Sequence, residues 1–323
     1  MLSASDFSKK QIIFVLFNEG EKLCFSNDNL VIKDSQGKIK FQCTCYRIFI
    51  VFAVGHTTFT SALIQKAQKF GFYIALLTPG FRLYSIMGAA KDGNTLLRRK
   101  QYEYNGLDIA KKLIENKIAN QACELEAVRN KNESVKNAIT LLKTYSSNAL
   151  TAENLNELMG YEGMASKVYF KNHFNNVAWQ GRQPRIKKDY INSVLDVGYT
   201  LLFTYIDALL SAFGFDTYCG VMHRQFYMRK SLVCDLVEPF RTLIDHEVKK
   251  GINLKQIQEK DFIELNHQFR LKWNESEQYV KILMKPLIEN KENIFDYVQT
   301  YYRAFMKNSP VDMFPFFRMG VIK

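Results

Sequence analysis

The first part of the chain alternates between short apolar runs and turn residues, at intervals typical of β-strands. Apolar, β-branched segments predict strands at residues 11–17, 30–33, 38–43, 46–54, 72–77 and 81–87. Clusters of Ser, Asn, Asp and Gly separate several of these strands. One helical segment begins after Thr57 or Thr58 and is closed by Gly71. The pattern predicts a small β-rich domain, a sandwich or roll, with one helix.

The spacing of apolar residues becomes helical from residue 94 onward, where glycine and proline are rare. The predicted helices cover residues 96–115, 119–146, 153–159, 165–177, 190–213, 232–249, 259–273 and 275–306. We place the boundary at the GAAKDGN segment, residues 88–94. The sequence therefore predicts an α+β protein with a β-rich domain (1–90) and a larger all-α domain (94–323). Residues 308–323 are expected to be a docking tail rather than core.

The chain is strongly basic, with 44 Lys and Arg against 32 Asp and Glu and a formal net charge of +12. Such a balance favours an acidic partner, with nucleic acid first and a membrane surface second. Four of the cations occupy one proline-containing loop without an acid, at Arg182, Arg185, Lys187 and Lys188. Phosphate contacts need such exposed cations, so this loop is a predicted DNA-binding segment, with a merely solvated loop as the alternative.

The six cysteines show no second Cys or His pair with zinc-ligand spacing, so we expect free thiols and a cytoplasmic protein. No signal peptide is expected, because the apolar run near the start of the chain is too short. No membrane association is expected either, since Asp196 and Asp207 interrupt the longest apolar stretch, residues 194–214.

The candidate chemistry centres on residues 219–245. His223 precedes a loop with the cations Arg224, Arg229 and Lys230, which we predict to contact DNA. Asp235 and Glu238 follow, three residues apart and therefore on one face of a predicted helix. An imidazole with carboxylates, beside cations, suits a divalent metal acting on phosphate.

Two further features bear on this site. Pro239 removes the N–H that would bond the carbonyl of Asp235, so the helix is predicted to be disturbed there. A third ligand is available at Glu162, which lies between Gly160 and Gly163 in a predicted tight turn between helices.

Simpler interpretations of these residues remain open. The pair on the predicted helix could be salt-bridged to Arg241, and Glu162 could be an acid favoured at a helix N-terminus. Glu264-x-x-His267 has the spacing of a di-iron motif, but no second copy is found, so it is interpreted as surface. His173 and His246 are expected to be structural.

Three blocks occur together in one order. They are LMGYEGMA leading into KVYF at residues 158–170, NSVLDVGY at 192–199, and GVMH at 220–223 followed by SLVCDLVEPFR at 231–241. This ordered set resembles the CRISPR-associated integrase family known as "Cas one", the catalytic subunit that inserts new spacers into a CRISPR array. The resemblance covers nearly the whole chain.

The resemblance implies specific roles for residues of this sequence. Glu162, His223 and Glu238 match the family's metal-binding and catalytic residues, for which Mg²⁺ or Mn²⁺ is the expected cofactor. Asp235 matches a supporting acid, and Tyr169 and Tyr199 match tyrosines that line the site. The implied reaction is metal-dependent attack of a DNA 3′-hydroxyl on a phosphodiester of the array.

The resemblance also implies partners. Family members dimerise through the β-rich domain, and two dimers flank a dimer of a small ferredoxin-like subunit, "Cas two", in a heterohexamer on double-stranded DNA. Two alternatives stay open at this point: a stand-alone metal-dependent nuclease or branched-DNA resolvase, and a non-catalytic basic DNA-architectural protein.

Overall fold

The computed structural model describes residues 2–89, 93–177, 179–223 and 227–320. Its strands are β1 Gln11–Phe17, β2 Lys22–Ser26, β3 Asn29–Lys33, β4 Ile39–Thr44, β5 Ile48–Gly55, β6 Tyr73–Leu77, β7 Leu83–Gly88, β8 Phe262–Leu265 and β9 Gln268–Leu271. The first seven strands form a four-stranded sheet of order β1-β5-β6-β7 and a three-stranded sheet of order β2-β3-β4. In the larger sheet β1, β5 and β6 are parallel, and β7 pairs antiparallel with β6.

The helices are α1 Ala4–Ser8, α2 Ser61–Phe70, α3 Thr95–Glu103, α4 Asp108–Glu126, α5 Glu133–Thr151, α6 Leu155–His173, α7 Tyr190–Phe213, α8 Ser231–Val237, α9 Arg241–Asn253, α10 Ser276–Glu289 and α11 Lys291–Met306. The predicted α+β class, with a β-rich N-terminal region and a larger helical part, is confirmed. The thiols of Cys24, Cys43, Cys45, Cys123 and Cys234 are free, as predicted. The short strand β2 was not predicted, because only one of its side chains, Leu23, is buried.

Both faces of the larger sheet are covered, which explains why all eight residues of β5 are buried. Alternate residues such as Val51 and Ala53 face α2 and the smaller sheet. The intervening residues, among them Phe52, belong to the core that the sheet shares with the helical part. The β-rich and helical parts therefore pack through one continuous hydrophobic core.

Aromatic contacts cross between the two parts. Phe49 of β5 meets Tyr205 of α7 edge to face, with ring centroids 5.9 Å apart, and Phe7 of α1 stacks on Phe295 of α11 at 4.1 Å. The boundary near residues 88–94 stays a prediction, because residues 90–92 lie outside the described ranges. Helix α7 is long and apolar enough to cross a membrane, but 83% of its apolar window is buried inside the protein, as in a core helix.

Several predicted helix boundaries were wrong. Residues 96–115 are not one helix but parts of α3 and α4, and residues 119–146 are interrupted before Asn132, whose side chain caps α5. Conversely, the two helices predicted at residues 153–159 and 165–177 are joined in the single helix α6, which ends at His173. The predicted turn at Gly160 and Gly163 is absent, because burial of apolar side chains along α6 outweighs the low helix propensity of glycine. Residues 275–306 form two helices, α10 and α11.

The predicted helix at residues 259–273 is a β-hairpin instead, made by β8 and β9. Its two-residue turn holds Asn266 and His267 at φ of 52° and 59°. Positive φ at both central residues defines the turn whose twist suits a hairpin. Glu264 and His267 therefore do not lie on a helix, and the side chain of His267 is fully exposed. The helical part is thus not all-α, and the hairpin is its one β element in the described residues.

The prediction of a docking tail at residues 308–323 was wrong for its described part. Phe314 and Phe317 are buried in the main core. Two asparagines of α4 hold the backbone of Phe317: Asn116 donates to its carbonyl at 2.6 Å and accepts from its N–H at 2.8 Å, and Asn120 donates to the same carbonyl at 3.0 Å. Buried amides in this arrangement fix the segment as part of the fold.

Candidate active site

Helix α6 positions Glu162. The helix begins at Asn154, whose side chain accepts a hydrogen bond from the N–H of Glu157 at 3.0 Å. Leu158, Ala165 and Tyr169 are buried, and Glu162 shares their helical face. The carboxylate is therefore directed toward the interior, with its side chain 22% exposed.

The glycines on either side of Glu162 are not required by the fold. A Cβ added at Gly160 or Gly163 would meet no atom within 4 Å. Gly160→Ala is therefore expected to raise the free energy of unfolding by about 0.5–1 kcal/mol, measured by urea denaturation. The matched control is Gly198→Ala in α7, where the new Cβ would lie 2.4 Å from Ile244 Cγ2 and should destabilise the protein. A loss of stability at Gly160 would contradict the expectation.

Glu238 lies where the helix is broken. Helix α8 ends at Val237, Glu238–Phe240 form a 3₁₀ turn, and α9 begins at Arg241. The disturbance predicted from Pro239 is confirmed. The carbonyl of Pro239 accepts a hydrogen bond from the Asn120 side chain at 2.9 Å, which ties the turn to α4. Glu238 itself is only 4% exposed, so its charge needs a partner inside the protein.

That partner is Lys117 of α4, whose ammonium bridges the two glutamates. Its Nζ contacts Glu162 Oε1 and lies 2.7 Å from Glu238 Oε2, while Arg241 Nη2 lies 2.9 Å from Glu238 Oε1. Burial raises the pKa of Glu238, but Arg241 and Lys117 outweigh it and lower the pKa to about 2. Burial lowers the pKa of Lys117, yet Glu238 and Glu162 raise it overall. Both glutamates thus share a single cation.

His223 is oriented by Asp235. The buried Asp235 carboxylate accepts hydrogen bonds from the N–H groups of Val221 at 2.6 Å, Met222 at 3.0 Å and His223 at 3.0 Å. The same carboxylate lies 2.6 Å from His223 Nδ1, so Nε2 of the imidazole is left for another ligand. Gly220 is required here, because a Cβ would lie 2.7 Å from Asp235 Oδ2.

The donor chemistry of these residues fits a divalent cation. Two carboxylates and an imidazole are ligands suited to Mn²⁺ and acceptable to Mg²⁺. His223 lies close enough to Glu238 to help lower its pKa. In the described parts of the chain, however, no three His, Cys, Asp or Glu side chains converge as a complete ligand set. The ammonium of Lys117 lies between Glu162 and Glu238.

Tyr199 contacts residues next to the site. Its hydroxyl donates to the buried Asp245, and its ring centroid lies 4.7 Å from the guanidinium group of Arg241 and 5.2 Å from that of Arg182. Because Arg241 also pairs with Glu238, the tyrosine helps to fix that arginine. Tyr169, also predicted to line the site, is fully buried and stacks on His173, with ring centroids 4.9 Å apart.

The two histidines predicted to be structural have buried partners. His173 is fully buried, with Nε2 3.1 Å from the Asp245 carbonyl oxygen, and burial lowers its pKa to about 3. His246 Nδ1 lies 3.0 Å from Glu124 Oε1, and this bond raises its pKa. Both therefore pair with groups outside the Glu162–Glu238 site.

A cleft of about 1050 Å³ runs from His223 toward the β-rich part. Four of the predicted DNA-binding cations line it: Arg182, Arg185, Lys187 and Arg229. Two cations that sequence reasoning missed, Arg82 and Arg270, line it as well. Arg82 lies in the β6–β7 turn and Arg270 in the hairpin that was predicted as helix. Neither stands in a basic run, so no sequence signal marked them.

The other predicted DNA contacts are placed differently. Lys188 is exposed but is not among the residues that line the cleft. Lys230 Nζ lies 2.5 Å from Oδ2 of the buried Asp207, so its charge is used inside the protein. Arg224 lies outside the described residues.

The lowered pKa of the buried Glu238 marks a candidate functional site, and the adjoining basic cleft is a feature expected of a protein that binds nucleic acid. The family model described as "CRISPR associated protein Cas1" matches residues 14–285. The chain belongs to the Cas1 family.

Curated relatives agree with this assignment. The chain is 31% identical over 226 residues to CRISPR-associated endonuclease Cas1 1 of Thermodesulfovibrio yellowstonii, covering 66% of this chain and 71% of the relative. It is 30% identical over 268 residues to CRISPR-associated endonuclease Cas1 2 of Rhodospirillum rubrum, covering 77% of this chain and 78% of the relative.

Solved structures share the fold. A CAS1 protein from Thermotoga maritima matches with a TM-score of 0.79 at 18% identity, covering 92% of this chain and 97% of that one. A casposase bound to integration product matches with a TM-score of 0.76 at 21% identity, covering 97% of this chain and 96% of that one. A chain of a Cas6-RT-Cas1–Cas2 complex matches with a TM-score of 0.82 at 20% identity. The match covers 98% of the present chain but only 37% of that longer chain.

Proposed function

We propose that this protein is the integrase of CRISPR adaptation, which joins a short DNA duplex to the CRISPR array. The observation that carries the proposal is the pair of carboxylates, Glu162 and Glu238, drawn together around one positive charge beside His223. The names of curated relatives as endonucleases support catalysis on DNA. The fold shared with a casposase bound to an integration product favours joining over cutting alone.

We further propose that Glu162, Glu238 and the Nε2 atom of His223 hold Mg²⁺ or Mn²⁺. When bound, the metal would neutralise charge on the phosphate and stabilise the oxygens that attack and leave. Two other residues of the chain keep these ligands ready for the metal: Asp235 holds the imidazole ring of His223, and Arg241 keeps Glu238 ionised.

The proposed reaction is an in-line phosphoryl transfer. The 3′-oxygen of the incoming strand forms a bond to a phosphorus of the array, and the bond from that phosphorus to its 3′-oxygen breaks. The attacking hydroxyl loses a proton and the leaving oxygen gains one, so no enzyme-bound intermediate and no co-reactant is needed. The cations of the cleft hold the phosphates on either side of the reacting group.

The partners are also proposals. Neighbouring structures are titled as Cas1–Cas2 assemblies, which supports a small Cas2-type subunit as partner. Homodimerisation through the β-rich domain and binding of double-stranded DNA are implied by family membership. A cytoplasmic location fits the free thiols of Cys24, Cys43, Cys45, Cys123 and Cys234.

The test is strand transfer into a supercoiled plasmid that carries the repeat, with Mn²⁺ and the partner subunit present. A duplex with free 3′-hydroxyls is expected to be joined to the plasmid, while the same duplex ending in 3′-deoxynucleotides is not. Cutting of DNA that does not depend on the 3′-hydroxyl would favour the stand-alone nuclease. Binding without any change in the DNA would favour the architectural protein.

A further inference from the structure

The 3₁₀ turn that carries Glu238 interrupts the helical hydrogen bonding between α8 and α9. Glu238–Phe240 separate the two helices, and Pro239 has no N–H with which to continue the first of them. All three residues of the turn are buried, and the turn sets the direction of a carboxylate that the proposed reaction needs. Its position therefore depends on contacts with other parts of the chain.

Helix α4 makes one such contact, from the same face that presents Lys117. Asn120 lies three residues after Lys117, so the two side chains project from one side of the helix. Lys117 reaches the carboxylate of Glu238, and Asn120 donates a hydrogen bond to the carbonyl of Pro239 at 2.9 Å. One residue of α4 therefore holds a side chain of the turn, and the other holds its backbone.

Asn120 also binds residues 314–319, which we call the aromatic segment. Its amide donates to the carbonyl of Phe317 at 3.0 Å, and its oxygen accepts from the N–H of Met319 at 3.0 Å. A side-chain amide has two N–H donors, and here one is used on the turn and the other on the aromatic segment. Asn120 is only 2% exposed, so these bonds are made inside the protein. One buried side chain thus ties the aromatic segment to the turn.

The aromatic segment also contacts the turn directly. The ring of Phe317 packs on the ring of Phe240, the last residue of the turn, with centroids 4.8 Å apart. Both side chains belong to the main core. Asn116, one helical turn before Asn120, fixes the backbone of Phe317 through two hydrogen bonds of 2.6 and 2.8 Å. Because the segment has its own anchor on α4, it can hold the turn in place rather than follow it.

We propose that the aromatic segment is a positioning element of the active site. It holds the turn through Asn120 and Phe240 and so determines where the Glu238 carboxylate points. The segment acts through Glu238 and contributes no group to the reacting atoms. A displacement of about 1 Å at a catalytic group can cost about 100-fold in rate, so this indirect contact is sufficient to control the reaction. The effect on rate rests on the proposed function, whereas the hold on the turn rests on the contacts alone.

Phe317→Leu and Phe314→Leu form a matched pair of variants of the full-length protein. Both phenylalanines are 7% exposed, but Phe314 packs against Tyr301 of α11, with ring centroids 5.4 Å apart. Amide hydrogen exchange, measured by mass spectrometry on peptides from residues 236–243, reports how firmly the turn is held. Phe317→Leu is expected to speed this exchange about 2- to 10-fold, whereas Phe314→Leu should leave it at the wild-type rate.

Asn120→Ala removes the hydrogen-bonded link itself and provides the test if Phe317→Leu does not fold. It should speed exchange in the turn as Phe317→Leu does. Both variants are expected to lower the kcat of strand transfer about 10- to 100-fold, because the Glu238 carboxylate is misplaced. The KM for donor DNA should stay within about 2-fold, since the cleft is unchanged. Phe314→Leu should keep the wild-type kcat. The rates are measured in saturating Mn²⁺ over a range of donor concentrations.

The outcomes separate the positioning role from the proposed function. Unchanged exchange of the turn in Phe317→Leu and Asn120→Ala would overturn the proposal, even if the wild type joins DNA strands. Equal effects of Phe314→Leu and Phe317→Leu would also overturn it, because the cause would then be a general loss of stability. Faster exchange with a wild-type kcat would rule out a role in positioning Glu238. If exchange rises as expected while the wild type never joins strands, the hold on the turn stands and the integrase proposal fails.

Discussion

Glu162→Gln is expected to reduce strand transfer by about 1000-fold or more while the fold and DNA binding survive. The amide keeps the size of the side chain but removes the charge that we assign to metal binding and to stabilisation of the reacting phosphate. The fold should survive because Glu162 is partly exposed and because Lys117 keeps its contact with Glu238 at 2.7 Å. The measurement is the initial rate at which labelled donor becomes joined to plasmid, with fluorescence anisotropy for DNA binding.

The matched control is Glu133→Gln on α5, an acid whose side chain is 77% exposed and lies outside the site. It should transfer strands at the wild-type rate. Glu238→Gln makes a useful contrast, since it leaves the buried charges of Lys117 and Arg241 poorly paired and should lower both stability and transfer. If Glu162→Gln kept more than about a tenth of the wild-type rate, Glu162 would not have the role we assign to it.

The sequence predicted which residues lie together at the site, but not how they pair. Glu162, His223, Asp235 and Glu238 were chosen from short blocks, and the structure brings them together as two pairs: the glutamates at one lysine, and the histidine on the aspartate. The break at Pro239 could be predicted because proline acts through the local backbone alone. Rules about the local backbone were sufficient where a single residue, such as Pro239, determined the local structure.

Lys117 could not be predicted, because nothing in α4 distinguishes it from the lysines at 111 and 112. Its importance arises from tertiary packing, which buries it against α6 and the 3₁₀ turn at Glu238–Phe240. The hairpin was missed for a related reason. Residues 259–273 carry polar and apolar residues at spacings compatible with a helix, and only the positive φ of Asn266 and His267 reveals the turn.

At Gly160 a local rule predicted a turn that tertiary packing prevented. Glycine on each side of an acid suggested a turn, yet α6 continues through both positions because Leu158, Ala165 and Tyr169 bury its inner face. Glycine permits a turn without imposing one, and packing decided between the two. To predict the single helix α6, the apolar period would have had to be weighed above the two glycines.

The bridging position of Lys117 has a consequence for metal binding. Its ammonium lies between Glu162 and Glu238, where we propose that a divalent cation binds, so the two positive charges would compete for the same carboxylates. Lys117→Met removes the competitor while keeping an unbranched side chain of similar length. In EDTA the variant should lose about 3 kcal/mol of unfolding free energy, because two carboxylates, one of them buried, then face each other without the ammonium, while Arg241 still pairs with Glu238 alone. Added Mn²⁺ should restore most of that stability.

The measurement is urea denaturation of both proteins in EDTA and in Mn²⁺, together with calorimetric titration of Mn²⁺. The variant should bind Mn²⁺ at least about 10-fold more tightly than the wild type, since no ammonium has to be displaced. Lys112→Met is the matched control on the same helix; Lys112 pairs with Glu115 at 2.9 Å, and its loss should change neither quantity appreciably. An equal loss of stability with and without Mn²⁺ in Lys117→Met would mean that the lysine is a purely structural bridge. Because stability and metal affinity are read without any turnover, this result would stand whichever reaction the site performs.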